Sequence, residues 1–137
     1  MSHFIYSSKV FTLFPSYVFI EINEIIPVGI YENNNKRYLL DINSNSIEAN
    51  NKSLNYFNVP IINNLNKHSD KNKISSLLKT ILVNDKSLYL SINEIKLNDE
   101  KINISLNSNT KITLDKNNYA YDLIVLLKFI ESIQDIK

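Results

Sequence analysis

The sequence predicts an α+β fold built on a mainly antiparallel sheet, and three observations predict it. Short segments alternate apolar and polar residues at the period of a half-buried strand. Asparagine-rich tripeptides separate several of them and read as hairpin turns. Two longer segments instead space their apolar residues at helical intervals. The predicted order is a strand pair, a hairpin, a helix, a three-stranded meander and a C-terminal helix, with no internal repeat. At 137 residues and 44% hydrophobic content, the chain suits one domain, or one domain with a fragment of another, around a substantial core.

Taken in order, residues 9–12 read as a short strand cut off at Phe14-Pro15. Tyr17–Glu24 alternates, with Val18, Ile20 and Ile22 on the face predicted to meet a core. Pro27 fixes its own φ and donates no ladder hydrogen bond, so it marks a corner before a second strand at 28–32. Gly29, the only glycine, lies beside that corner, where it allows a bend or close backbone approach. Asn33, Asn34 and Asn35 form the expected turn into a returning strand at 37–41.

The stretch INSNSIEANNKSL is polar and reads as irregular, and NYFNVPII is an apolar cluster stopped by Asn63 and Asn64. Ser69 or Asp70 is placed to cap a helix reaching about Leu82, with Ile74, Leu77, Leu78 and Ile81 on one face. Residues 87–96, Lys101–Leu106 and Lys111–Asp115 all alternate and read as a meander, with turns at 98–100 and 107–109. In Tyr119–Ile136, Leu123, Leu126, Leu127, Ile130 and Ile133 recur at helical spacing. With so little glycine, asparagine is expected to supply the left-handed backbone at the turns around 33–35 and 107–109.

Composition argues against several function classes. A formal charge of +1 gives no overall field favouring nucleic acid or an acidic membrane surface. The tyrosines are spread at core-like spacings and do not form a stacking platform. No apolar run reaches the roughly 18 to 20 residues of a membrane span, and MSHFIYSSK lacks the features of a signal peptide. The absence of cysteine excludes disulfides and thiolate metal sites. His3 and His68 have no second ligand at strand or helix spacing, so no metal is expected. A single glycine excludes glycine-rich phosphate loops and nucleophile elbows. Asp99-Glu100 reads as a solvent-facing turn. No catalytic residue and no cofactor are predicted, and the wide use of Asn, Ile and Lys reads as codon bias in an AT-rich genome.

Glu24-x-x-Pro27-Val28-Gly29, following a Phe-Pro corner and an alternating strand, then a polar turn and Tyr38-Leu39-Leu40-Asp41, resembles the bacterial cell-division proteins FtsQ and DivIB. Their pattern there is an aromatic-Pro corner, an alternating strand, E-x-x-P-(V/I)-(A/G), and a returning (Y/F)-L-(V/I)-D. Asn58-Val59-Pro60-Ile61-Ile62 is similar to the family's Leu-Pro and apolar run, with Asn63 or Asn64 where the family has glycine. The stretch INEIKLNDEKINISLNSNTKITLDKNN is similar to its β-domain strands, with residues 107–109 and Asp115 in place of two glycines. The similarity covers roughly residues 8–136.

The resemblance implies that residues 1–27 are the last strands of a POTRA-like domain and 28–137 a β-domain. It implies a non-enzymatic scaffold of the divisome, acting in septum formation at the extracytoplasmic face of the inner membrane. Its partners would be other division proteins, FtsB-like and FtsL-like, bound by β-strand addition, with no nucleic acid and no membrane span in this chain. The family's membrane helix and most of its POTRA domain would precede Ser8, and its last strand, with an (apolar)-D-(L/V/M)-R core, would follow Ile136; the sequence holds neither. A sheet lacking that strand is expected to keep an open edge at Lys111, Ile112, Thr113 and Leu114, flanked by Lys111 and Lys116 and capable of self-association. Glu24, Pro27, Val28, Gly29 and Asp41 are the motif positions, expected to be structural. A small intracellular α+β enzyme or regulator is the alternative, and no site for it is identified.

Overall fold

The computed structural model describes the backbone at residues 5–13, 17–50 and 58–136, and side-chain surroundings at 25–50 and 58–133. Strands β1 (Ile5–Leu13) and β2 (Tyr17–Glu24) form a two-stranded antiparallel sheet in which Val10 faces Ile20 and Thr12 faces Val18. The strand expected at 9–12 is therefore longer. The side chains of Glu24, Val18, Ile20 and Ile22 lie outside those described, as does His3.

A second sheet has seven strands in the order β5-β4-β3-β6-β7-β8-β9. Its members are β3 (Pro27–Asn33), β4 (Lys36–Asp41), β5 (Ser46–Glu48), β6 (Ile61–Asn63), β7 (Ile92–Leu97), β8 (Lys101–Leu106) and β9 (Lys111–Asp115). Pairing is antiparallel within β3-β4-β5 and within β7-β8-β9, whereas β6 runs parallel to both β3 and β7. The fold is thus α+β with a largely antiparallel sheet, made of two antiparallel units joined through one short parallel strand. A parallel neighbour requires a crossover. Helices α1 (His68–Asn84) and α2 (Lys86–Ser91) carry the chain from β6 to β7, and α3 (Tyr119–Ile136) follows β9.

Asparagine does supply the left-handed turns. Asn34 and Asn35 have φ of 54° and 64° and connect Asn33 to its ladder partner Lys36, a two-residue loop with the twist that hairpins favour. Asn109 has φ of 66° in the β8–β9 turn, and Asn64, beyond β6, has φ of 68°. Each occupies conformational space that glycine ordinarily takes.

Four expectations need correction. Residues 86–91 form helix α2 and not the first half of a strand, because the Asp85 side chain accepts the N–H of Leu88 at 3.0 Å and starts a new helical turn. On this helix Tyr89 is buried and its hydroxyl reaches the Val28 carbonyl, despite the alternation in Leu88-Tyr89-Leu90. The stretch read as irregular contains β5, paired to β4 through Leu39 and Ile47. Helix α1 begins at His68, an exposed residue in its first turn, and its N-cap Lys67 makes no side-chain capping bond, so neither Ser69 nor Asp70 is the cap. Finally, Ile133 stands exposed, while Leu123 is buried and Leu126, Leu127 and Ile130 are half-buried.

One core holds the seven-stranded sheet to its helices. From α1, Ile74, Leu77, Leu78 and Ile81 are fully buried against Val28, Leu40, Ile62, Ile95, Ile102 and Ile104. From α3, Leu123 joins the same cluster beside Leu114. Burying each such aliphatic side chain stabilises the fold by about 1.5–3 kcal/mol before conformational entropy is subtracted. The helical period of α1 and α3 and the strand period of β7 to β9 therefore meet on one face of the sheet.

Candidate functional site

The motif around the sole glycine proves to be a packing junction. Val28 is fully buried, and its carbonyl accepts the Tyr89 hydroxyl at 2.9 Å, which ties β3 to α2. Burial raises the Tyr89 hydroxyl pKa from 10.0 to about 12. At Gly29 a Cβ would meet Ile62 Cδ1, so the parallel approach of β3 to β6 keeps the packed Ile62 side chain in place only because residue 29 has no side chain. Pro27 opens β3 and faces Asp41 across the hairpin. Asp41 is buried; its Oδ1 accepts the N–H groups of Asn43 and Asn45, each at 2.9 Å, and so shapes the β4–β5 turn. Its carbonyl accepts the Ser75 hydroxyl at 2.7 Å, which fastens that turn to α1. Glu24 closes β2, opposite Ile5.

Lys111, Ile112, Thr113 and Leu114 belong to β9, the last strand in the order of the seven-stranded sheet. Strand β9 pairs with β8 and has no neighbour on its other side among the described residues. The ladder fixes which groups face out. Leu106 N–H donates to Thr110 C=O at 2.9 Å and Lys116 N–H to Glu100 C=O at 2.8 Å. By antiparallel alternation, residues 112 and 114 turn their backbone groups toward β8, and Lys111, Thr113 and Asp115 turn theirs outward.

Asp115 is closed off locally. Its N–H donates to Asp122 Oδ2 at 2.9 Å, and its carbonyl accepts the N–H of Asn118 at 3.1 Å. Lys111 and Thr113 are left to offer unpaired N–H and C=O groups along the edge. At the far end of the sheet, β5 is only three residues long and its Glu48 carboxylate lies 4.0 Å from the Lys36 ammonium, a blunted edge by comparison.

Helix α3 reaches past this edge. Tyr121, Val125 and Phe129, spaced four residues apart, form a stripe beside the buried face and are 63%, 50% and 60% exposed. With Ile112, Thr113 and Leu114 they line a cleft of about 580 Å³, to which Asp122 and Leu126 also contribute. The helix is apolar over a wider arc than the sheet beneath it covers. That width was the available sequence signal: the packed stripe from Leu123 to Ile130 has a second apolar row alongside it, and a helix packed on a complete sheet needs only one.

Lys116 does not flank the edge. Its side chain is 8% exposed, its Nζ lies 3.0 Å from Asp70 Oδ2, and it donates to the Asn98 carbonyl at 2.8 Å. Of the two lysines expected to flank the edge, Lys111 is the one whose side chain is exposed there. Asp99 and Glu100 sit exposed in the β7–β8 turn, whose shape comes from Asn98 Oδ1 accepting the N–H groups of Glu100 and Lys101. Among the described residues, no group of three or more His, Cys, Asp or Glu side chains could hold a metal, and no helix is long and apolar enough to cross a membrane.

No protein-family model and no curated protein matches the chain. A solved structure does. The fold is similar to the major extracytoplasmic domain of the bacterial cell-division protein DivIB, trans isomer, from Geobacillus stearothermophilus. The superposition has a TM-score of 0.54 at 9% sequence identity and covers 74% of this chain and 87% of that one. At this identity the similarity shows a DivIB-like domain fold. The expected α+β architecture agrees with that fold.

Proposed function

We propose that this chain is a non-enzymatic scaffold of the bacterial divisome that binds other division proteins by β-strand addition at the β9 edge. The observation that carries this reading is the coincidence of unpaired backbone groups at Lys111 and Thr113 with the apolar row of Tyr121, Val125 and Phe129. An added strand satisfies the first and covers the second. The likeness of the fold to a domain of a cell-division protein supports this reading. In this reading residues 1–27 are the end of a POTRA-like domain, 28–137 form the β-domain, and the chain works on the extracytoplasmic side with FtsB-like and FtsL-like partners. Pro27, Val28, Gly29 and Asp41 hold the β-domain together and do not touch the partner.

The test is amide hydrogen exchange on the whole chain, with and without the extracytoplasmic segment of an FtsB-like or FtsL-like protein from the same bacterium. The Lys111 and Thr113 amides are expected to gain protection on binding, and Phe129→Asp to abolish it. Binding that leaves both amides exchanging freely, or no binding by either segment, overturns the reading.

A further inference from the structure

We infer that, without a partner strand, the β9 edge pairs with β9 of a second copy about a two-fold axis through Ile112. This rests on the reading of β9 as the open edge and adds the competing occupant that regulates access to it. The argument starts from the capped end. Because Asp122 Oδ2 and Asn118 N–H occupy the outward groups of Asp115, pairing is confined to Lys111 and Thr113. In an antiparallel pair centred on Ile112, Lys111 of each copy faces Thr113 of the other. All outward groups left free on β9 are then used, and no capped group is disturbed.

A register centred on Thr113 would instead set Lys111 against the capped backbone of Asp115. Asp122 thus chooses between two registers that the sequence KITLD would otherwise allow.

Charge and apolar surface agree with the same seam. Lys111, Thr113 and Asp115 share one face of the sheet, so the Lys111 ammonium of one copy falls within diagonal reach of the Asp115 carboxylate of the other, twice by symmetry, and of the other Lys111 once, two attractions against one repulsion. On the opposite face Ile112 meets its own copy, beside the row of Tyr121, Val125 and Phe129 that each α3 leaves uncovered. The edge is complementary to itself as well as to a partner.

The chain has no cysteine, so single cysteines report the register cleanly. Two residues 112 facing each other form a non-hydrogen-bonded pair with Cα atoms about 4.5 Å apart, within disulfide range, whereas two residues 113 in that register are more than about 7 Å apart, beyond it. On mild oxidation Ile112→Cys is expected to form a covalent dimer, and Thr113→Cys and the remote, exposed Val83→Cys are not. Asp122→Ala, combined with Thr113→Cys, is expected to raise cross-linking at 113, because it releases the Asp115 N–H that the other register uses while the Asp115 carbonyl keeps a second lone pair beside its bond from Asn118. In sedimentation of the uncrosslinked chain, Lys111→Glu is expected to raise the dimer dissociation constant about tenfold, since two attractions become repulsions.

A monomer at every concentration, or cross-linking at Thr113→Cys or Val83→Cys as efficient as at Ile112→Cys, overturns the inference. Protection of the Lys111 and Thr113 amides by a partner segment is read separately, so the scaffold function can stand where the homodimer falls.

Discussion

The Lys116 ammonium lies 3.0 Å from the Asp70 carboxylate, with both side chains more than nine-tenths buried. This pair joins the first turn of α1 to the end of β9, elements 46 residues apart by the difference of their numbers (116 − 70). Lys116 also donates to the Asn98 carbonyl in the β7–β8 turn, so three separate elements converge on one cation.

Truncating either partner leaves a buried charge uncompensated. Asp70→Ala and Lys116→Ala are each expected to cost about 3–5 kcal/mol, and the double replacement Asp70→Leu with Lys116→Met substantially less than their sum. Urea unfolding monitored by circular dichroism measures all three. Additive losses would show that the two charges are not coupled.

Gly29 is expected to tolerate no side chain while Ile62 keeps its full length. Gly29→Ala should destabilise by about 1–3 kcal/mol, because its Cβ would meet the Cδ1 of a packed isoleucine. Ile62→Val removes that methyl group, so the double variant should recover part of the loss. A thermal-melt double-mutant cycle checks the coupling, and a Gly29→Ala chain as stable as the wild type would contradict the contact.

Tyr89 gives the protein an alkaline dependence. Its folded pKa, about 12, is raised above the unfolded value of 10.0. The contribution is therefore fully present below about pH 10 and is lost as pH rises toward about 12, where the unfolded chain has released a proton that the folded chain retains. The slope from this one group reaches at most about 1.4 kcal/mol per pH unit. Tyr89→Phe should lose about 1 kcal/mol near neutrality, since its hydrogen bond to Val28 C=O is gone, and should show a shallower decline above pH 10. Parallel decline in both proteins would assign the alkaline effect elsewhere.

The β3–β4 turn carries two asparagines at positive φ. Asn35→Gly is expected to stabilise the chain by up to about 1 kcal/mol, because glycine accepts this backbone without steric cost and Asn-Gly suits the two-residue hairpin. Raised urea midpoint with unchanged denaturant dependence is the signature, and a lowered midpoint would count against the turn geometry.

Much of this architecture is written locally. The alternation in Tyr17–Glu24, Lys101–Leu106 and Lys111–Asp115 sets strands, asparagine sets the hairpins at 34–35 and 109, and the helical spacing in Tyr119–Ile136 sets α3. These depend on neighbours two to four residues apart, which the sequence displays directly. The place of residues 111–114 was legible for the same reason: they form the last strand of the meander, which among the described residues pairs on one side.

The rest was decided by contacts between distant segments. In residues 86–91 Tyr89 reaches Val28, 61 residues away, a contact that no local pattern displays. Three residues at 61–63 are too few to show a period, and they became a parallel strand because β3 and β7 were already there to bond them. Lys116 looked like a surface charge because nothing near it in sequence reveals Asp70. The apolar row on α3 took its meaning only from its place beside β9, the last strand of the sheet among the described residues, since local patterns fix which residues are apolar but only the assembled fold decides which of them are covered.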